Sequence, residues 1–230
     1  MTAVQLRDKV RNEGLLSKAT AYRMADIVTR VFAPRYLGAD SQPARRLREL
    51  VLRQISVDRL NQLFYLYTAR THQILYDFVL EVYWPRYAAG ALWLLREDSI
   101  SFIKAAQATG RIKTQWTEGN NIRIGRYLLA ALHDFRLLGE QESDRRPILP
   151  FNIATTTVIF LAHELHFSGL NDDSVVNHPD WALFGLTPAD VIGELRKTGI
   201  DGRLIVQAGD LVRISWGFPT MEECLDVVSS

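Results

Sequence analysis

Apolar side chains recur at three- and four-residue spacing up to about residue 199, the pattern of helices that bury one face. Leu6 and Val10 mark a short first helix that breaks at Asn12-Glu13-Gly14. Ser17 then stands as an N-cap for a second, with Met24, Ile27, Val28 and Val31 on its buried side and an end near Pro34. Ser41 and Pro43 open a third, whose stripe is Leu47, Leu50 and Val51. Ser56 caps a fourth carrying Leu60, Leu63, Phe64 and Tyr67, and a fifth runs from about Thr71 until Pro85 kinks or ends it. Asp98-Ser99 caps a helix through Phe102, Ile103 and Ala106 that Gly110 stops. Thr117 opens a long helix with an apolar face of Ile124, Tyr127, Leu128, Ala131, Leu132 and Phe135, ending at Gly139. Residues 139–147 then read as an exposed loop. Residues 154–167 form another helix, and Thr187-Pro188-Ala189-Asp190 starts one to about Lys197.

Beyond that point the period changes to two. Leu204-Ile205-Val206 and Leu211-Val212-Arg213-Ile214, joined by Gln207-Ala208-Gly209-Asp210, predict a short β-hairpin, and residues 219–228 a last helical turn or two. The fold class is mainly α, with two helix-turn-helix, winged-helix-like motifs and a short C-terminal β-hairpin. Soft boundaries near 88–98 and 147–153 suggest three parts: 1–90, 91–150 and 151–230.

Length bounds the picture further. The 230 residues suit one large or two small domains with a core that needs no disulfide. A single cysteine, Cys224, excludes a disulfide framework and any multi-cysteine zinc site. The longest stretch free of Asp, Glu, Lys and Arg, 147–163, holds two prolines and falls short of the ~20 apolar residues of a membrane span. The N-terminus is charged from Arg7 with no apolar segment of a secretory signal. The expectation is a cytoplasmic, membrane-free protein.

The net charge of +1 hides an asymmetry. Residues 1–90 sum to +6, residues 91–146 to +2 and residues 147–230 to −7. Between Ser17 and Arg53 the bases Lys18, Arg23, Arg30, Arg35, Arg45, Arg46, Arg48 and Arg53 face only Asp26, Asp40 and Glu49. Such an imbalance fits a polyanion-facing end, or else a solvated helix face.

Two helix pairs sharpen the first alternative. A recognition helix offers its N-terminal side chains to base edges in the major groove. In the first pair those side chains are Lys18, Thr20 and Arg23, with Arg30 two turns on and Arg45 and Arg46 beyond. Ordinary helix packing is the plain alternative there. In the second pair Asn120, Arg123 and Arg126 share an outward face, an amide suited to adenine and guanidiniums suited to guanine or phosphate. Lys113 precedes that helix, and Arg145 and Arg146 fall where a wing tip would touch a backbone. Glu118 and the acids of 140–144 oppose binding.

Other chemistry is thin. His163-Glu164-Leu165-His166 has its histidines at i, i+3, not the i, i+4 of a zincin helix, so a core or capping role is the plainer one. No phosphate-binding glycine loop is present, and Cys224 reads as a small buried hydrophobe. The aromatics of 64–87 sit at core spacings, and Asp172, Asp173 and Asp180 lie in a turn-rich segment. No catalytic constellation, metal site or cofactor site emerges.

Four segments in order, LLSKATAYRMADIVTRVFAPRY (15–36), LNQLFYLYTARTHQILYDFVLEVYWPRYAAG (60–90), WTEGNNIRIGRYLLAALHDFRLLG (116–139) and NHPDWALFGL (177–186), resemble the BrxA family. These are the small core proteins of BREX (bacteriophage exclusion) defence systems. The resemblance implies a nearly all-α monomer with two helix-turn-helix motifs, binding double-stranded DNA without catalysis and without a cofactor. It carries the motifs onto Lys18, Thr20 and Arg23, and onto Asn120, Arg123 and Arg126. It also implies partner subunits: a methyltransferase, an ATPase and a phosphatase-like protein. The competing expectation is an assembly scaffold with no DNA contact, its acidic tail serving a protein partner. A metal-dependent hydrolase on His163 and His166 is the third.

Overall fold

The computed structural model describes residues 2–16, 18–38, 42–198, 204–208 and 212–228. Helix α1 (Ala3–Asn12) opens with a reciprocal box in which Gln5 N–H donates to Thr2 Oγ1 and Thr2 N–H to Gln5 Oε1. Helix α2 (Ala21–Asp26) starts later than its pattern suggests. Thr20 is its cap, accepting from Arg23 N–H at 3.2 Å, while Ser17 lies outside the described residues. The chain runs on past Pro34 in wide π-type turns over Ile27–Leu37. A ring that would clash with the carbonyl four residues back is thereby absorbed rather than ending the helix.

Helices α3 (Gln42–Leu52) and α4 (Val57–Thr71) follow, the second capped by Ser56 as its sequence predicts; Ser41 is not among the described residues. Helix α5 (Gln73–Phe78) passes through π-type turns at Val79–Tyr83 into α6 (Trp84–Ala88). Trp84 N–H reaches Val79 O, five residues back, so Pro85 enters α6 in its first turn without breaking the rod.

Next come strand β1 (Trp93–Leu95), helices α7 (Arg96–Ala108) and α8 (Glu118–Asp134), and strand β2 (Arg145–Pro147). Helices α9 (Thr155–Phe167) and α10 (Asp172–Val176), a 3-10 turn at Pro179–Phe184 and α11 (Pro188–Thr198) lead to β3 (Leu204–Ala208), β4 (Val212–Trp216) and α12 (Met221–Val228). β3 and β4 pair antiparallel from Leu204↔Trp216 to Ala208↔Val212, the predicted hairpin; its turn lies outside the described residues. No described helix is long and apolar enough to cross a membrane.

Helix α9 is the axis of the core. Every residue from Thr156 to Leu165 is buried, as a helix apolar all round must be. The main cluster joins Tyr65, Phe78 and Tyr83 to Phe102, Ile103, Leu128 and Leu132, and these to Leu161, Trp181 and Leu195. One core therefore draws on all three of the parts that charge and linkers mark out. A second cluster packs Leu47, Leu50, Leu63 and Tyr67 on Ile159 and Phe160 and on Cys224 and Leu225 of α12. Burial pushes the Cys224 thiol up to about 12, which keeps it inert. Val51, by contrast, faces solvent. Helices α1 and α2 keep a small cluster of their own, Val10, Met24 and Val28.

Candidate nucleic-acid interface

Residues 93–148 build one compact unit. β2 returns antiparallel onto β1, with Trp93 opposite Pro147, Leu94 opposite Arg146 and Leu95 opposite Arg145. Further bridges, Leu138 to Ile148 and Glu142 to Arg145, make 138–148 a hairpin where the sequence suggested only a loop. Helix α8 consequently ends at Asp134, not Gly139. Arg136 turns the chain at positive φ, and Gly139 begins the hairpin by donating to Pro147 O at 2.8 Å.

Helix α7 also begins earlier than its pattern suggests. Asp98 sits inside the first turn, accepting from Leu95 N–H at 2.9 Å and from Arg86 at 2.5 Å. The two helices approach closely at Gly125: a Cβ there would lie 2.7 Å from Ser99 Oγ, which is itself bonded to Arg96 O. Glycine at 125 thus sets how α8 lies on α7.

The inner face of α8 is Asn121, Gly125, Leu128, Leu129 and Leu132. At about 3.6 residues per turn, Asn120, Arg123 and Tyr127 fall opposite it and Arg126 on one flank. Tyr127 is 63% exposed, so it belongs to the polar face and not to the apolar stripe where spacing had placed it. Arg123 Nη2 donates to Asn120 Oδ1 at 2.9 Å, and among the described residues neither Arg123 nor Arg126 has a carboxylate partner. Glu118, an acid expected to oppose binding, is paired with Lys104 at 3.1 Å. Lys113 is exposed on the connection before the helix.

On the hairpin, the Arg145 guanidinium lies over the Trp93 ring at 4.0 Å, with Glu142 also 4.0 Å away. Arg146 Nη1 donates to Gly139 O at 2.9 Å. Arg126, Arg145 and Arg146 converge with Arg96 on one notch beside Gln141 and Asp144. Arg96 escaped sequence reasoning because only the pairing of β1 with β2 brings it there.

The α2 face is arranged differently. Thr20 is occupied as a cap, and Lys18 is exposed in the turn before the helix. Arg23 and Arg30 are exposed but share Asp26, at 3.2 and 3.5 Å. Tyr22, 77% exposed, stands beside them. Arg45 faces solvent. Arg46 does not: its side chain is 18% exposed and pairs with Glu164 at 2.7 Å. Its charge is thus committed to Glu164 rather than offered outright to solvent.

Glu164 anchors a buried network that no motif announced. It accepts from Arg46, from Arg70 at 2.7 Å and from the Tyr67 hydroxyl, and Arg70 also pairs with Asp180 at 2.6 Å. Burial opposes the charge on Arg70, but the Glu164 and Asp180 carboxylates outweigh it and raise its pKa. Burial likewise opposes ionised Asp180, yet the His178 hydrogen bond and Arg70 hold its pKa below the usual value. Asp180 is therefore more than a turn former. So is Asp172, whose carboxylate accepts from Ile214 N–H and Trp216 Nε1 and pins β4 to α10.

The two histidines of α9 part ways. His163, fully buried, is bonded through Nδ1 to Ile159 O, and burial lowers its pKa. His166 stacks on Trp216 with ring centroids 4.0 Å apart. Among the described residues no group of three His, Cys, Asp or Glu side chains is arranged to hold a metal ion.

No curated protein and no solved structure matches the chain. The family model of BrxA matches residues 1–164, from the N-terminus through the α2 face and the whole β1–α7–α8–hairpin unit into α9. Over that span, most of its length, this chain belongs to the BrxA family.

Proposed function

We propose that this BREX phage-defence component is a non-enzymatic protein that binds double-stranded DNA, acting as a cytoplasmic monomer. Its main face is the outer surface of α8. The observation that carries the reading is the exposure of that surface: Arg123, Arg126 and Tyr127 project from one helix, and among the described residues no carboxylate forms an ion pair with either arginine. The order strand, helix, helix, returning hairpin supports a winged helix-turn-helix, in which α8 enters the major groove and the hairpin meets the backbone. Affinity comes mostly from counterions released as Lys and Arg neutralise phosphates, so it is largely independent of sequence. The α2 face, with Lys18, Tyr22, Arg23 and Arg30, is a secondary contact that Asp26 restrains.

The test is fluorescence anisotropy of the full chain with a labelled random-sequence duplex at several salt concentrations. The expected result is binding that weakens with salt with a slope equal to several phosphates. Absence of binding at low salt would reject the reading.

Family membership makes other BREX proteins the expected partners. The acidic C-terminal region is the surface proposed for them, but deleting 147–230 would not test it. That cut removes α9 and α12, which carry two of the core clusters. Charge reversal of exposed Glu222 and Glu223 on α12, read by pull-down with the methyltransferase, ATPase and phosphatase-like subunits, leaves the core intact.

A further inference from the structure

The notch between α8 and the hairpin is lined by four guanidiniums, Arg96, Arg126, Arg145 and Arg146, with Gln141 and the Asp144 carboxylate beside them. Its cavity volume is about 20 Å³, and the hollow opens to solvent. Gathering four positive charges around one hollow is unfavourable unless an anion spreads among them. Among the described residues no carboxylate forms an ion pair with Arg96, Arg126 or Arg146, and Glu142 stands 4.0 Å from Arg145.

Two of the four are fixed in advance. Arg145 is stacked on the Trp93 indole and Arg146 is bonded to Gly139 O. The third is placed only at its root: Arg96 N–H donates to Asp144 O at 2.7 Å, which holds the start of α7 against the hairpin tip and leaves the guanidinium free to close. Planar guanidinium forks match the tetrahedral oxygens of phosphate, and forks already held in place lose less freedom on binding.

We propose that this notch is a seat for a single phosphate group, in which Arg96 and Arg126 close on the anion against a floor set by Arg145 and Arg146. The inference rests on the DNA reading for its source, a backbone phosphate at the edge of the groove that α8 enters. It adds Arg96, on a different helix, to that interface. The seat fixes the angle between α8 and the duplex without reading a base.

The test uses the full chain, a random-sequence duplex and the variants Arg96→Gln, Arg96→Lys and Arg96→Glu. Lys197→Gln, an exposed charge on α11, controls for net charge. Arg96→Gln is expected to lower the log–log salt slope by about 0.9, one phosphate on duplex DNA, and to weaken binding several-fold. Arg96→Glu is expected to cost more than tenfold. Arg96→Lys, which keeps the charge and loses the fork, should hold the slope and lose affinity; it also covers the case in which Arg96→Gln folds poorly. If Arg96→Gln behaves like Lys197→Gln while the parent protein binds DNA, the seat is overturned and the DNA reading stands. If the parent protein binds no duplex, arginine Nε–Hε NMR signals are followed with added pyrophosphate. A saturable shift that Arg96→Gln abolishes supports the seat with a small phosphate as its source, and no shift overturns it.

Discussion

The α2 and α8 faces start from the same raw material, a short helix pair with arginines three to seven residues apart and a tyrosine among them. They differ in what the fold has done with the charge. On α2 a single carboxylate, Asp26, holds both Arg23 and Arg30, and the pair of helices rests on the small cluster of Val10, Met24 and Val28. On α8 the acid that could interfere, Glu118, is taken by Lys104, and the helix is bolted through Leu128 and Leu132 into the main core. Arg46 is the extreme case, a basic residue of the densest charge stretch that is mostly buried against Glu164. Charge density along a chain thus measures supply; the ion pairs of the fold decide how much reaches a partner.

Removing the acid from the inward case should have the largest effect. Glu164→Ala would strand Arg46 and Arg70 in a buried setting, and breaking such a pair costs about 3–5 kcal/mol. Thermal or denaturant melting reads the loss directly. DNA affinity of the protein that remains folded should change little if Glu164 already commits the Arg46 charge.

The same network sets acid stability. Asp180 has its folded pKa below the unfolded value, so its stabilisation is present above about pH 4, the ordinary carboxylate range, and fades as pH falls through the folded pKa. Asp180→Asn should flatten the acid limb of stability against pH, besides lowering stability at neutral pH.

The bolting of α8 is tested by Gly125→Ala. The added methyl meets Ser99 Oγ, and over-packing of this kind costs roughly 1–3 kcal/mol. Because the helix must shift, DNA affinity should fall as well. Ala21→Ser, at an exposed position of α2, should leave stability within about 0.5 kcal/mol of the parent.

The smallest expected effect is a gain. Asp26→Asn releases Arg23 and Arg30, so DNA affinity should rise a few-fold and the salt slope steepen by about 1. No gain would mean that the α2 face does not meet the duplex.

Much of this architecture was readable in the sequence. Periodicity located nearly every helix, and Thr117, Ser56 and the Thr187–Asp190 pair cap where their chemistry requires. The misses share a cause. Pro34 and Pro85 signal helix ends locally, but π-type turns carry the chain past both. The 138–148 hairpin was invisible because its partner strand lies some 50 residues upstream and has only three residues. Tyr127 was misassigned by residue type, although its angular position between Asn120 and Arg123 marks the polar face. The outward placement of Arg123 and Arg126 was legible from spacing alone. Arg96 and the Glu164 network were not, since both depend on contacts between distant segments.

The central claim is that α8, more than α2, carries DNA binding. The direct measurement is anisotropy against one duplex across a salt series, for the parent protein, Arg123→Ala/Arg126→Ala and Arg23→Ala/Arg30→Ala. The account predicts that the α8 pair lowers affinity by at least tenfold and the slope by about 2, with the α2 pair costing half of that or less. Equal losses from the two pairs, or a larger loss from α2, would contradict it.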